Sequence, residues 1–305
     1  MKNLVEKSGF APFWQSQTAS MRGALLMILS TITFAFMHAA VRHVSAELPP
    51  FVIAFFRNLF GLLFLMPILM AGRFSQLRTQ RFGLHALRGL INIVAMLMFF
   101  TAVSITPLAK VTALSFTAPV FAAAMAAVFL GERFRLHRWG AILAGFIGML
   151  IVLRPGLAVI EPGALLALGS AALWAMAMIV IKVLSRTDSS VTIVAWMGIF
   201  LCLYSIGPAI WVWQWPSPPA WGWLLFIGLT GSVAQIAISQ SLKEADTSVV
   251  MPFDFLKLIW TALLAAWLFG EIPDKFTFIG AGVIFSSSLY IARREQLKAR
   301  AQARL

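Results

Sequence analysis

Three ionisable side chains stand where the surrounding sequence offers no water. Arg57 lies in the apolar run 50–71, and Asp254 and Lys257 lie in the run 248–269. Asp254 and Lys257 are three residues apart, so a helix presents them on one face. An ionised group inside a bilayer costs ~2.5–3.5 kcal/mol on insertion scales and usually faces a polar path or a partner. The planar fork of Arg57 suits a carboxylate or other anion; it suits a structural ion pair or backbone carbonyls equally well. Asp254 can pair with Lys257 or reach Arg57. A carboxylate that loses its partner in apolar surroundings takes up a proton, which makes Asp254 the candidate for proton coupling. A permanent Asp254–Lys257 salt bridge is the competing reading. The trio has one positive charge in excess, which favours a solute carrying a carboxylate.

Other side chains in apolar runs extend the candidate set. They are His38 with Phe34 one turn away, Asn92, Trp174, Trp196 and Gln235. A single histidine serves packing as readily as proton relay, and aromatic rings face lipid or core as readily as a solute. Lining one cavity, these groups would suit a solute with an apolar or cationic part. Pro119 and Pro252 are candidate helix breaks. Proline frees a carbonyl, and broken turns in membrane helices line cavities.

The elements that must hold these residues follow from composition. The 305 residues are 60% hydrophobic and 11% charged, where a soluble domain is about a quarter charged. Mean hydropathy is +0.88. A formal net charge of +13 in a soluble chain would suggest nucleic acid; here the basic residues cluster between apolar runs, as membrane topology requires. Ten runs are long enough to cross a bilayer: 22–43, 50–71, 85–105, 109–130, 137–154, 163–183, 191–213, 220–241, 248–269 and 275–292. With the N-terminus in the cytoplasm, the inner segments hold Lys2, Lys7 and Arg22; Arg73, Arg78, Arg81 and Arg88; Arg133, Arg135 and Arg138; Lys182 and Arg186; Lys243; and the basic tail from Arg293. The outer segments hold Arg42, Lys110, Arg154 and Lys275, and a loop rich in tryptophan from Trp211 to Trp223. Both termini are therefore expected in the cytoplasm. Cys202 is the only cysteine, which excludes an intrachain disulfide and a cysteine metal cluster. No Gly-x-x-x-x-Gly-Lys-Ser/Thr loop, His-Glu-x-x-His or nucleophile elbow occurs, so neither cofactor, metal nor enzyme chemistry is expected.

The chain also repeats itself. The segment from Val111 to Gly131-Glu132 aligns without gaps on the segment from Val250 to Gly270-Glu271, with Phe116 on Phe255. Each is followed by a turn and a span rich in small residues. Units of five spans are odd in number, so the second must be inverted relative to the first, an arrangement associated with alternating-access carriers. The small-residue rows Ala118, Ala122 and Ala126, and Ala141 with Gly145, read as close helix packing within one chain.

Two tandem units of this kind, each ending in an Ala-rich span, Phe/Leu-Gly-Glu, a turn and a Gly-rich span, resemble the EamA units of the drug/metabolite transporter superfamily. The segment from Ala245-Asp-Thr-Ser through Asp254-Phe-Leu-Lys257 to Phe269-Gly-Glu271 is especially similar to a second unit. The resemblance covers roughly residues 22–292. It implies an all-α integral membrane protein of ten transmembrane helices in a 5+5 inverted repeat. The expected organisation is a cytoplasmic segment at 1–21, a first repeat at 22–154, a second at 155–292 and a basic cytoplasmic tail at 293–305. The expected function is secondary transport of a small organic metabolite, an amino acid or zwitterion by the charge argument, across a bacterial inner membrane. The alternatives are a membrane enzyme acting on a lipid-linked substrate and a transporter for a cationic, aromatic or vitamin solute. The expected partners are the solute, the bilayer and protons as a candidate coupling ion, with no nucleic acid, in a monomer or homodimer.

Overall fold

Lipid cannot hydrogen-bond a peptide group, so an apolar chain in a bilayer must satisfy its backbone internally, and helices do so. The computed structural model describes residues 17–71, 77–129, 136–153, 161–184, 187–188, 190–245, 250 and 253–302. Among them the elements are α1 (Ala19–Val44), α2 (Pro50–Ala71), α3 (Phe82–Ile105), α4 (Leu108–Ser115), α5 (Ala118–Phe129), α6 (Leu136–Leu153), α7 (Pro162–Leu184), α8 (Ser190–Trp211), α9 (Pro218–Glu244), α10 (Leu256–Phe269) and α11 (Lys275–Gln302). Thr18 caps α1 by accepting from the Met21 N–H at 3.3 Å. Pro218 opens α9 where a missing N–H costs nothing. Six helices, α1, α2, α3, α7, α8 and α9, are long and apolar enough to cross a membrane; shorter apolar stretches cover Leu108–Ala122, Ile142–Leu153, Leu256–Phe269 and Lys275–Ser287.

The run expected as one span at 109–130 is two helices. Phe116 and Thr117 form a tight turn whose N–H groups donate to Ala113 and Leu114 at 3.2 and 3.0 Å. Pro119 does not sit at the break itself. It lies in the first turn of α5, where the N–H that proline lacks has no helical partner to lose. The run 248–269 turns at Phe255, where the Leu258 N–H donates back to the Phe255 carbonyl at 3.0 Å. Phe116 and Phe255 occupy matching repeat positions, and their rings pack at 5.5 Å. Pro252 and the Gly131-Glu132 turn lie outside the described residues.

The repeat is written into the packing. Ser30 on α1 donates to the Ala234 carbonyl on α9 at 2.9 Å; Ser170 on α7 donates to the Ala95 carbonyl on α3 at 2.7 Å. A Cβ on Gly23 would lie 2.6 Å from Ala245, and one on Gly163 2.0 Å from Thr106 Oγ1. A Cβ on Gly89 would lie 2.4 Å from Phe200, and one on Gly228 2.5 Å from Phe60. In each pair the second contact is the first moved on by one repeat.

These contacts also give directions. Ser241 donates to the Gly23 carbonyl while Ser30 reaches Ala234, so α1 and α9 run antiparallel. Gly163 meets Thr106 while Ser170 reaches Ala95, so α3 and α7 do too. Gly145 faces Ser287, Gly148 faces Ile284 and Gly280 faces Val152, so α6 and α11 are likewise antiparallel. A Cβ on Gly148 would approach the Gly280 carbonyl to 2.9 Å, and one on Gly280 the Gly148 carbonyl to 2.6 Å. The small residues of these helices thus serve contacts inside the chain, as glycine does wherever two membrane helices touch backbone to backbone.

Candidate functional site

Lys257 lies near the start of α10, close to the Phe255 turn. Its Nζ is 3.6 Å from Asp254 Oδ1, and both side chains are 16% exposed. That distance is an ion pair but too long for a hydrogen bond, so the ammonium keeps donors for another acceptor. The Nζ also stands 4.9 Å from the Phe116 ring and 5.9 Å from the Phe34 ring, within reach of both π faces. Phe34 stacks on His38 at 5.9 Å, and His38 tilts against Phe99 at 4.8 Å. Phe255 packs on Phe285 at 4.3 Å. Rings from α1 and the α4–α5 turn therefore flank the ammonium, and rings from α3 and α11 pack behind them.

Arg57 approaches from α2. Its Nη1 donates to Asn58 Oδ1 at 3.0 Å, and Asn58 Nδ2 donates to the Leu201 carbonyl at 3.3 Å, tying α2 to α8. Gly231 on α9 makes room for the guanidinium: a Cβ there would lie 3.2 Å from Arg57 Nε. A Cβ on Gly231 would also meet Met37, the neighbour of His38, at 2.8 Å, and Phe34 lies against both His38 and Lys257, which places Arg57, His38 and Lys257 in one neighbourhood. Among the described residues, His38 Nδ1, Arg57 Nε and Trp260 Nε1 are buried without a hydrogen-bond partner. A buried donor left unpaired costs about 1–3 kcal/mol, so Arg57 Nε, packed beside Gly231, is suited to an incoming acceptor.

The structure brings Arg57, Lys257, Asp254, His38 and Phe34 together, with Asp254 beside Lys257 rather than Arg57. Asn92 and Gln235 are half-buried on α3 and α9 and do not join the contacts around Lys257. Trp174 is 52% exposed on α7. Trp196 lies elsewhere: its Nε1 donates to the Leu77 carbonyl at 3.2 Å, and its ring packs on Phe82 and Phe200. Asn58, Phe99 and Trp260 escaped the sequence reading. Asn58 had a signal in its position beside Arg57, but adjacent residues on a helix do not normally face each other. Phe116 was marked only by its match to Phe255 in the repeat.

Polar contacts close the bundle at both ends. At the end where α1 begins, Arg22 Nε meets Glu244 Oε2 at 3.0 Å. There Asp188 Oδ2 accepts from the Thr79 hydroxyl at 2.7 Å and meets His85 Nε2 at 2.7 Å. The Thr79 hydroxyl, then His85, holds the Asp188 carboxyl below the usual carboxylate range. Arg88 donates to the Ile193 carbonyl at 2.9 Å. At the opposite end Arg42 Nη2 meets Glu271 Oε1 at 2.8 Å, and Glu271 Oε2 accepts the Leu108 N–H at 3.0 Å. Gly270 ends α10 with φ 66°, a left-handed conformation that frees Glu271 to cap α4. Lys110 meets Glu161 at 3.1 Å, and Glu47 accepts from the N–H and hydroxyl of Ser217 at 2.8 and 3.0 Å.

Known proteins are similar to this chain along most of its length. A riboflavin transporter of Vibrio cholerae serotype O1 is 32% identical over 92% of this chain and 96% of its own. An S-adenosylmethionine uptake transporter of Rickettsia bellii is 28% identical over 88% of this chain and 92% of its own. A pseudopaline exporter of Pseudomonas aeruginosa is 28% identical over 90% and 97%. A solved crystal structure, 20% identical, superposes with a TM-score of 0.60 over 90% of this chain and 98% of its own, and so shares the fold. The profile of the EamA-like transporter family matches residues 21–154 and again residues 161–293. With two such matches spanning nearly all of its length, this chain belongs to the EamA-like transporter family.

Proposed function

We propose that this protein is a secondary transporter that moves a small, carboxylate-bearing metabolite across a bacterial inner membrane by alternating access. One observation carries the reading: the Lys257 ammonium, held loosely by Asp254 and flanked by rings, shares its neighbourhood with Arg57, whose Nε has no partner. Two cations against one acid leave a positive site for a carboxylate. Asp254 takes the proton when Lys257 turns to the solute, which makes it the coupling residue. Ten spans in two inverted sets, with both termini in the cytoplasm, fit the clustering of Lys and Arg and the repeated contacts. The relatives named for riboflavin, S-adenosylmethionine and pseudopaline support a small-metabolite solute.

A second reading has its own support. The rings of Phe34 and Phe116 beside Lys257, with His38 and Phe255 packed on them, suit a ring-bearing vitamin, and a relative at 32% identity is named for riboflavin. Counter-flow in proteoliposomes, run with amino acids, zwitterions, vitamins and aromatic amines, separates the two. The carboxylate reading expects saturable exchange that the pair Arg57→Gln and Lys257→Gln reduces at least tenfold, about 1.4 kcal/mol. Exchange untouched by that pair, for every solute carried, sinks it. Exchange confined to ring-bearing solutes favours the vitamin reading.

A further inference from the structure

The repeat that duplicates packing contacts also duplicates a polar closure. At one end of the bundle a carboxylate from the loop between α7 and α8, Asp188, takes the hydroxyl of Thr79 from the segment between α2 and α3. At the other end a carboxylate from the loop between α1 and α2, Glu47, takes the hydroxyl of Ser217 from the segment between α8 and α9. Moved on by one repeat, the loop after α1 becomes the loop after α7, and the segment before α3 becomes the segment before α9. The two closures are counterparts: acid and hydroxyl come from matching segments at opposite ends of the molecule.

Each closure joins one repeat to the other. Thr79 belongs to the first unit and Asp188 to the second; Glu47 belongs to the first and Ser217 to the second. Neither bond lies within a single rigid helix, so relative movement of the units strains both. The ends differ in depth. His85 and Asp188 are 1% and 7% exposed and covered by Trp196, whereas the Ser217–Glu47 contact is exposed. Hydrogen bonds to a carboxylate gain strength as water is excluded, so the Asp188 closure is the tighter of the two.

We propose that Asp188 with Thr79 and His85, and Glu47 with Ser217, are alternating closures: one opens while the other holds, and their balance sets which end of the central site is accessible. These are positioning residues that act through the bundle and touch no solute. The proposal rests on the transport reading, but its test measures access rather than flux. In a Cys202→Ser background, Phe34→Cys places a single thiol beside Lys257. Its reaction with a membrane-impermeant maleimide is followed in right-side-out and inverted vesicles.

Asp188→Asn is expected to raise labelling several-fold from the Asp188 end and lower it from the other. Glu47→Gln is expected to do the reverse, by a smaller factor because its contact is exposed. Thr79→Val and Ser217→Ala each remove one hydroxyl and keep every charge; they keep the test decisive if an acid variant folds poorly, and the same opposed shifts are expected. Unchanged labelling in the hydroxyl variants, or shifts in the same direction for both ends, overturns the proposal. Absence of exchange with every solute, alongside opposed labelling shifts, counts against the transport reading and leaves the closures standing.

Discussion

Asn58 has no charge and no place in a motif, yet it holds the guanidinium of Arg57. It accepts from Arg57 and donates to α8, and it is 3% exposed. Asn58→Leu keeps the volume and removes both bonds, leaving a buried guanidinium with one partner fewer. The expected cost is about 1–3 kcal/mol, read as a lower unfolding temperature in detergent, together with weaker solute exchange. Asn58→Asp is expected to hurt less, because it keeps an acceptor beside Arg57. At the bundle end, Asp188 has a depressed folded-state pKa, so the stability it contributes is present above the ordinary carboxylate range and is lost as pH falls through its lowered value. Thr79→Val removes the largest cause of that depression. Acid unfolding of the variant is expected to begin at higher pH than in the parent, and superimposable acid-unfolding curves would contradict the assignment.

The helices themselves were largely legible, because ~20 apolar residues in a row have one stable fate in lipid. Their breaks were only half legible. Pro119 announced a disturbance, but the turn falls at Phe116 and Thr117, since proline is harmless within a first helical turn and harmful to the turn before it. The turn at Phe255 was marked by its match to Phe116 and by Pro252 shortly before it in the sequence. The Gly-Glu pair was visible as a repeated string, but its job was not. Gly270 turns the chain in a left-handed conformation and Glu271 then caps α4 across the bundle, a contact 163 residues away in sequence. Gly270→Ala is expected to cost about 1 kcal/mol through the left-handed φ alone. Gly163→Val is expected to cost far more, since even a Cβ would lie 2.0 Å from Thr106 Oγ1. Thermal unfolding should rank the two in that order, and equal losses would contradict it.

At the scale of the molecule, the repeat was legible in a single aligned stretch, and the family profile matches the chain twice. What joins the units was not, because pairing between distant helices leaves no periodic trace in either one. Trp196 shows the limit: its position in an apolar run suggested a solute-facing ring, whereas it seals the end of the bundle over His85. Close packing of α6 on α11 depends on glycine at both 148 and 280. Gly148→Leu and Gly280→Leu are each expected to separate these helices and lower the unfolding temperature, and the double variant should lose less than the sum because both act on one contact.

The end-on ion pairs carry one more consequence. Arg22 opens α1 and meets Glu244; at the matching place before α7 stands an acid, Glu161, and it meets Lys110. The two halves thus wear opposite charges at the same seat. A first half folded against a copy of itself would bring Arg22 of one to Lys110 of the other, cation against cation, and a second half doubled would face acid with acid. These end-on charges therefore favour pairing of unlike halves over like ones. Expressed as separate polypeptides, residues 1–154 and 155–305 are expected to co-purify with each other, and differently tagged copies of residues 1–154 are not.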